Sequence, residues 1–301
     1  MNTKPTLLVL AAGMGSRYGG NKQIEGFGPH GETILEYSIY DAFRAGFGKV
    51  VLIVREEILQ MAKDLLLPKL EGKIEVDFVL QSLNSFVPEI YRNPNRVKPY
   101  GTAHAMLCAK DAITEPFAVI NADDFYGREA FEVLGKFLTN GVQPNLHAMV
   151  GYAIENVLSE NGTVSRGVCS MNEANQLVGM VERTSIAREG DKIVSRGEGE
   201  KIEIKPGTPV SMNFWGFHPA VFGDIQRMWD EFLPANKENI KSEFYIPTVA
   251  NNLIQEGKAA FEILAGGKTW FGVTYTEDKP VVIAALKNMH DSGEYPENLW
   301  G

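Results

Sequence analysis

Residues 50–54 (VVLIV) are a short, wholly apolar run. Such a run fits a strand buried on both faces, and so a sheet with helices covering both sides. Runs of this kind alternate with helix-length amphipathic stretches through the first half of the chain. Strands are expected over 6–11, 50–54, 74–80 and 117–121. Helices are expected over 33–45, over 56–67 with Pro68 as its stop, and over 102–113. This β-α-β-α order predicts an α/β fold with a mostly parallel sheet.

The pattern changes after residue 145. Stretches 146–154, 167–171, 177–182 and 210–218 read as strands without intervening helices, suited to mixed or antiparallel additions to the first sheet. Residues 186–209 are charged and glycine-bearing and read as an exposed hairpin or mobile excursion. The tail returns to helix (242–255), strands (260–264 and 269–274) and helix (279–290). With no repeat and no clean linker, one elaborated domain over 1–301 is preferred. Its halves are 1–145 and 146–301.

The chain carries 29 basic and 38 acidic residues, a formal charge of −9, which argues weakly against a general nucleic-acid binder. It leaves room for a small anionic substrate, which needs only local cations. No apolar run is long enough to span a membrane, and the N-terminus lacks a signal-peptide layout. Cys108 and Cys169 offer neither a disulfide framework nor zinc spacing. The expected compartment is the cytoplasm.

The most informative stretch is LVLAAGMGSRYGGNKQ, residues 8–23. A buried strand opens into a loop with four glycines, accompanied by Arg17 and Lys22, the only basic side chains between Lys4 and Arg44 apart from neutral His30. Glycines let backbone N–H groups crowd a phosphate chain, and nearby cations neutralise it. The Walker pattern fails because Asn21 occupies its lysine position. The dinucleotide pattern fails because Tyr18 stands at its third glycine. A second feature, AVINADDFYG at 118–127, ends a strand in two carboxylates, where α/β sheets bind ligands.

The A-A-G-x-G-x-R-x-G loop followed by Lys-Gln resembles the signature of sugar-1-phosphate nucleotidyltransferases (NDP-sugar pyrophosphorylases), in its short form. Residues 33–54 resemble that family's next helix and strand. The resemblance is strong over 6–125 and weaker to the end. It implies a Rossmann-like, glycosyltransferase-A-like fold with a smaller β-rich sugar-binding part. It also implies conversion of NTP and sugar-1-phosphate to NDP-sugar and pyrophosphate, with Mg²⁺.

By that resemblance Ala11, Ala12 and Gly13 line the base and ribose, Gly15, Ser16 and Arg17 cradle the β- and γ-phosphates, and Lys22 reaches the α-phosphate. Arg17, Lys22 and Asp123 are the expected catalytic residues, with Asp123 the metal ligand. Asp124 serves through water or forms a turn. In PYGTAHAM (99–106), Gly101 and Thr102 support the base, although Thr102 fits an N-cap equally well. Gln81 either reads a pyrimidine edge with its amide or faces water at a strand end. His104 is expected to make a structural hydrogen bond.

In MVERT (180–184), Glu182 matches a sugar-hydroxyl ligand and Arg183 replaces the usual lysine on the sugar phosphate. Thr184 replaces the usual proline. Asn213 is the polar residue expected to face the sugar, while Phe214, Trp215 and Phe217 read as core. Relatives often supply a second metal-binding Asp near the C-terminus, where Gly272 stands here. The second ligand stays unassigned.

The expected partners are thus a pyrimidine NTP and a sugar-1-phosphate, without nucleic acid or membrane, with a homo-oligomer left open. The short loop also resembles cytidylyltransferases acting on phosphocholine or methylerythritol phosphate and the guanylyltransferase of molybdopterin. A Rossmann dehydrogenase using Glu56, and a non-catalytic sensor that kept the nucleotide pocket, are the competing classes.

Overall fold

The computed structural model describes residues 3–12, 26–272 and 276–301. Four parallel strands, β1 (Thr6–Leu10), β2 (Lys49–Val54), β3 (Glu75–Leu80) and β4 (Phe117–Asn121), lie in the order β4-β1-β2-β3. Val50 to Val54 have no solvent exposure. This is what an all-apolar run produces when helices cover both faces. A two-residue strand, β5 (Asp124–Phe125), follows directly after the turn at the end of β4.

Helices α1 (Ile34–Arg44), α2 (Glu56–Leu70), α3 (Thr102–Cys108) and α4 (Arg128–Asn140) connect this half. Thr33 opens α1 with a capping box. Its Oγ1 accepts from Glu36 N at 3.3 Å, and Glu36 Oε2 accepts from Thr33 N at 2.9 Å. Pro68 does not end α2. It sits in the last turn, where it removes one backbone donor, and buried Leu66 and Leu70 hold that turn to the core. Helix α3 is shorter than its apolar stretch. After Cys108 the chain tightens, Ala109 N donating to Met106 O and Lys110 N to Leu107 O, so that Ile113 packs inward. Helix α4 was not among the expected elements. It buries Ala130, Phe131, Leu134, Phe137 and Leu138, one stripe of helical spacing.

The second half adds β6 (Leu146–Ala153), β7 (Val164–Met171), β8 (Leu177–Glu189), β9 (Lys192–Ser195), β10 (Ile202–Ile204), β11 (Pro209–Phe217) and β12 (Ala260–Ala265). With β1 to β4 they form one mixed sheet of eleven strands among the described residues. Of the two readings of 186–209, the hairpin holds for residues 186–195. They continue β8 and form β9, burying Ile186, Ile193 and Val194. Their charges cluster around the turn, at Arg188, Glu189, Asp191 and Lys192, and leave no period-two pattern to read.

Helix α5 (Val221–Asn236), also unforeseen, packs with α6 (Ile246–Gln255) and α3 on one face. The helix expected from residue 242 begins only at Ile246. Near the end, β13 (Phe271–Gly272) pairs antiparallel with β5, and α7 (Lys279–Asp291) closes the chain's helices. No helix among the described residues is long and apolar enough to cross a membrane.

Strand β11 positions everything that follows. Ser211 pairs with Gly151 of β6 and Gly167 of β7, whereas Trp215 pairs with Met149 of β6 and Val119 of β4. Since β6 occupies one edge throughout, β7 and β4 share the other, end to end. Between the two contacts β11 bulges, and Asn213 takes a positive φ of 61°.

Candidate active site

The site lies where β4 stops and β7 begins. Asp123 stands exposed in the turn after β4. Asp124, next in the chain, points into a hydrogen-bond network. Its Oδ2 accepts from Asn121 Nδ2 at 2.9 Å and lies 3.3 Å from the Tyr126 hydroxyl. That hydroxyl accepts from Asn121 N and donates to Met212 O, both at 3.0 Å. Burial, joined by the charge of Asp123, pushes the Asp124 carboxyl well above its ordinary range.

Asn213 joins this network. Its Nδ2 donates to Asn121 Oδ1 at 2.8 Å, and its Oδ1 accepts from Trp215 Nε1 at 3.1 Å. The bulge turns the amide toward the end of β4, so Asn213 acts on Asp124 through Asn121. Phe214, Trp215 and Phe217 are fully buried, as core residues, because this end of β11 is covered on both faces.

Ala11 and Ala12 are buried at the end of β1, with Ala11 N donating to Ile53 O at 2.9 Å. Gly13, Gly15, Ser16, Arg17 and Lys22 lie outside the described residues. Gln81 follows β3 and is buried rather than facing water. Its Nε2 donates to His104 Nδ1 at 3.0 Å, and His104 Nε2 donates to Ser85 O at 2.7 Å. The acceptor carbonyl at Ser85 fixes the proton on Nε2 and leaves Nδ1 to accept. Burial pushes His104 down to about 4, so the ring stays neutral in its structural role.

Gly101 has φ 96°, and a Cβ there would lie 2.7 Å from Phe244 O. Glycine is thus required by the neighbouring 243–244 segment as well as by its backbone angle. Thr102 does not cap its own helix. Gly101 holds the N-cap position of α3, and Thr102 Oγ1 accepts from Ile246 N at 3.1 Å, satisfying the first turn of α6 instead.

β8 lies beyond β7 as β1 lies beyond β4, so Glu182 and Arg183 lie on the same side of β11 as β1. Burial raises the Glu182 carboxyl, opposed by the charge of Arg166. Glu182 in turn adds to the raised pKa of Tyr245, the residue before α6. Thr184 continues the strand, and one residue later the β7–β8 register shifts, with Ser185 at φ 52°.

Two residues near the site were not singled out by sequence. Arg166 donates from Nε and Nη2 to Val157 O (3.2 and 2.7 Å) and from Nη1 to Ser165 O at 2.9 Å. Its guanidinium lies 4.9 Å from the centre of the Trp270 ring. Trp270 in turn explains Gly272. A Cβ at 272 would lie 2.7 Å from Trp270 Cζ2 and 3.1 Å from Asp124 Oδ1. Gly272 therefore stands beside the carboxylates, where the sequence register put it, but the indole fills the space a second Asp would take. Among the described residues no group of three His, Cys, Asp or Glu side chains is arranged to hold a metal. What remains is one exposed carboxylate and an enclosed partner. Such a donor set suits Mg²⁺, which binds through one or two carboxylates plus substrate phosphates.

Residues 7–123 match the family model of the MobA-like NTP transferase domain. No curated protein sequence matches the chain. Among solved structures, the inositol-1-phosphate CTP transferase from T. maritima superposes with a TM-score of 0.60 at 12% identity, covering 95% of this chain and 98% of that one. A Bacillus anthracis protein described as a glucose-1-phosphate thymidylyltransferase, solved with sucrose, superposes with a TM-score of 0.61 at 13% identity. It covers 94% of this chain and 95% of the other. The mixed sheet with its parallel β3-β2-β1-β4 core, flanked by helices, is the fold these structures share.

Proposed function

We propose that this chain, whose residues 7–123 match the model of the MobA-like NTP transferase domain, joins an NTP to a sugar-1-phosphate and releases pyrophosphate. What supports the reading is that β4, which ends just before Asp123, and β7, which carries β8 with Glu182 and Arg183, pair with successive stretches of β11. The first supports phosphate-bound metal, and the second supports a polyhydroxylated, phosphorylated acceptor. The similar structures are described as acting on inositol-1-phosphate and glucose-1-phosphate, which agrees with an acceptor of that kind.

An oxygen of the acceptor's phosphate attacks the α-phosphorus in line. The bond from that phosphorus to the bridging oxygen breaks, and pyrophosphate leaves with the electron pair. No covalent intermediate is needed, so positioning and charge neutralisation do the catalysis. Mg²⁺ held by Asp123 would neutralise phosphate charge. Arg17 is assigned to the leaving pyrophosphate and Lys22 to the α-phosphoryl oxygens. Ala11, Ala12, Gly13, Gly15 and Ser16 are assigned to the nucleotide through their backbone. Gln81, Gly101 and Thr102 support the base, which we take to be a pyrimidine. Glu182 takes sugar hydroxyls and Arg183 the acceptor phosphate, while Asn213 orients Asn121 and Asp124 from behind. We read 1–145 as the nucleotide-binding half and 146–301 as the sugar-binding half of one unit, acting in the cytoplasm in nucleotide-sugar synthesis.

The test is pyrophosphate release across four NTPs with glucose-1-phosphate, inositol-1-phosphate and phosphocholine, with and without Mg²⁺. Lys22→Ala should lower turnover by orders of magnitude with the fold intact. Wild-type-like release from that variant overturns the assignment. Nucleotide binding without turnover by the wild type would instead support a sensor.

A further inference from the structure

Arg166 and Arg183 are directly paired residues of β7 and β8, within a register that runs unbroken from Arg166↔Arg183 to Ser170↔Gly179. Directly opposite residues of an antiparallel pair project from the same face, and like charges placed so repel. Two guanidinium groups therefore share one side of the sheet, at the level where β4 gives way to β7.

Arg166 is the fixed member. Three of its five N–H donors are spent on Val157 O and Ser165 O, and its plane lies over Trp270. One N–H remains on each terminal nitrogen, the arrangement that meets two oxygens of one phosphate. Asp124 and Glu182 act on Arg166 through their charge. Among the described residues, however, its hydrogen bonds all go to carbonyls and none to a carboxylate. A third donor is close by: Trp270 is 7% exposed, and its Nε1 is buried without a hydrogen-bond partner among the described residues. A buried donor left unpaired costs free energy that an incoming acceptor oxygen recovers.

We propose that Arg166, with Arg183 opposite it, receives the phosphate group of the acceptor substrate. The proposal rests on the nucleotidyltransferase reading and adds to it a residue on a different strand from the expected cation. The phosphate brings the negative charge that relieves the facing guanidinium groups. It also comes to rest one strand-end away from Asp123, where the NTP phosphates are expected. Asp124 and Glu182 keep the cation in place and limit how tightly a phosphate is held.

The experiment is calorimetric titration of inorganic phosphate, glucose-1-phosphate and glucose into the wild type, Arg166→Gln and Arg183→Gln. Melting temperatures and NTP affinity are recorded for each. The wild type should prefer glucose-1-phosphate to glucose. Each variant should lose about tenfold or more in affinity for the two phosphate-bearing probes, with NTP affinity retained. Arg183→Gln keeps the test decisive if removing the Arg166 bonds to Val157 unfolds the chain. Unchanged phosphate affinity in a folded variant, or a wild type indifferent to phosphate, overturns the proposal. Pyrophosphate release judges the underlying reading separately. A chain that turns over no NTP yet loses phosphate binding in both variants keeps the phosphate receptor and loses the transferase.

Discussion

Asn213 on β11 donates its amide to Asn121 at the end of β4 at 2.8 Å, and Asn121 in turn donates to Asp124 at 2.9 Å. A residue in a bulge thereby sets the orientation of a carboxylate 89 positions earlier in the chain. The positive φ at Asn213 is what aims the side chain. Asparagine is among the few non-glycine residues that adopt it readily.

Replacing Asn213 by Ala should therefore act twice. Stability should fall by about 1–3 kcal/mol, since Trp215 Nε1 and Asn121 Oδ1 lose their partner inside the protein. Turnover should fall further than stability accounts for, because Asp124 is released beside Asp123. Denaturant melts and pyrophosphate release on the same preparation separate the two effects. Unchanged turnover in the folded variant would show that the network is purely structural.

Gly272→Asp should not create a second metal ligand. The indole of Trp270 occupies the space, so the new side chain either displaces Trp270 or strains the β5–β13 pair. The expected cost is about 1–3 kcal/mol, typical of overpacking, with no tightening of Mg²⁺ dependence. A variant of wild-type stability that saturates at lower Mg²⁺ would refute this account.

Gly101→Ala should lower stability by about 1–3 kcal/mol, from the strained backbone angle alone. The clash with Phe244 O then pushes on the segment that starts α6. Thermal melts measure the first effect, and the KM for NTP against that for acceptor measures the second. An NTP-specific rise supports the base-side assignment of Gly101 and Thr102.

His104 predicts a pH dependence. Burial keeps it neutral in the folded chain down to about pH 4, whereas the unfolded chain takes up a proton near the ordinary histidine value of 6.5. Its contribution is complete above that value and is lost as pH falls toward 4, amounting to about 3 kcal/mol at the lower end. His147, also pushed down to about 4, adds a loss of the same sign, while Asp41, raised to about 6, works in the opposite direction. Comparing the wild type with His104→Gln, which can still donate to Ser85 O, isolates the one residue. The two stability curves should converge as pH falls from 7 to 4. Parallel curves would mean that His104 titrates normally.

The parallel core was legible because each of its strands announces itself locally: 50–54 is apolar at every position, and the structure buries every one of those side chains. The carboxylate turn after β4 was legible for the same reason. The outer hairpin was legible from its charge and its glycine, but the burial of Ile186, Ile193 and Val194 in it was not. Contacts that close over long separations were not readable at all. Thr102 looks like a cap for its own helix, and its partner Ile246 lies 144 residues away. Arg166 carries no motif. Its position follows from β7 and β4 meeting along β11, and only three-dimensional pairing shows that. The Gly272 departure was visible in sequence, while its cause, Trp270, needed the packing.

Strand β11 is a shared rail along which the two parts of the sheet are mounted in line. Lengthening or removing its bulge would slide the β7–β8 platform relative to the β4 tip by a residue's rise. Such a change would retune the gap between the two reacting partners without altering any side chain that touches either of them.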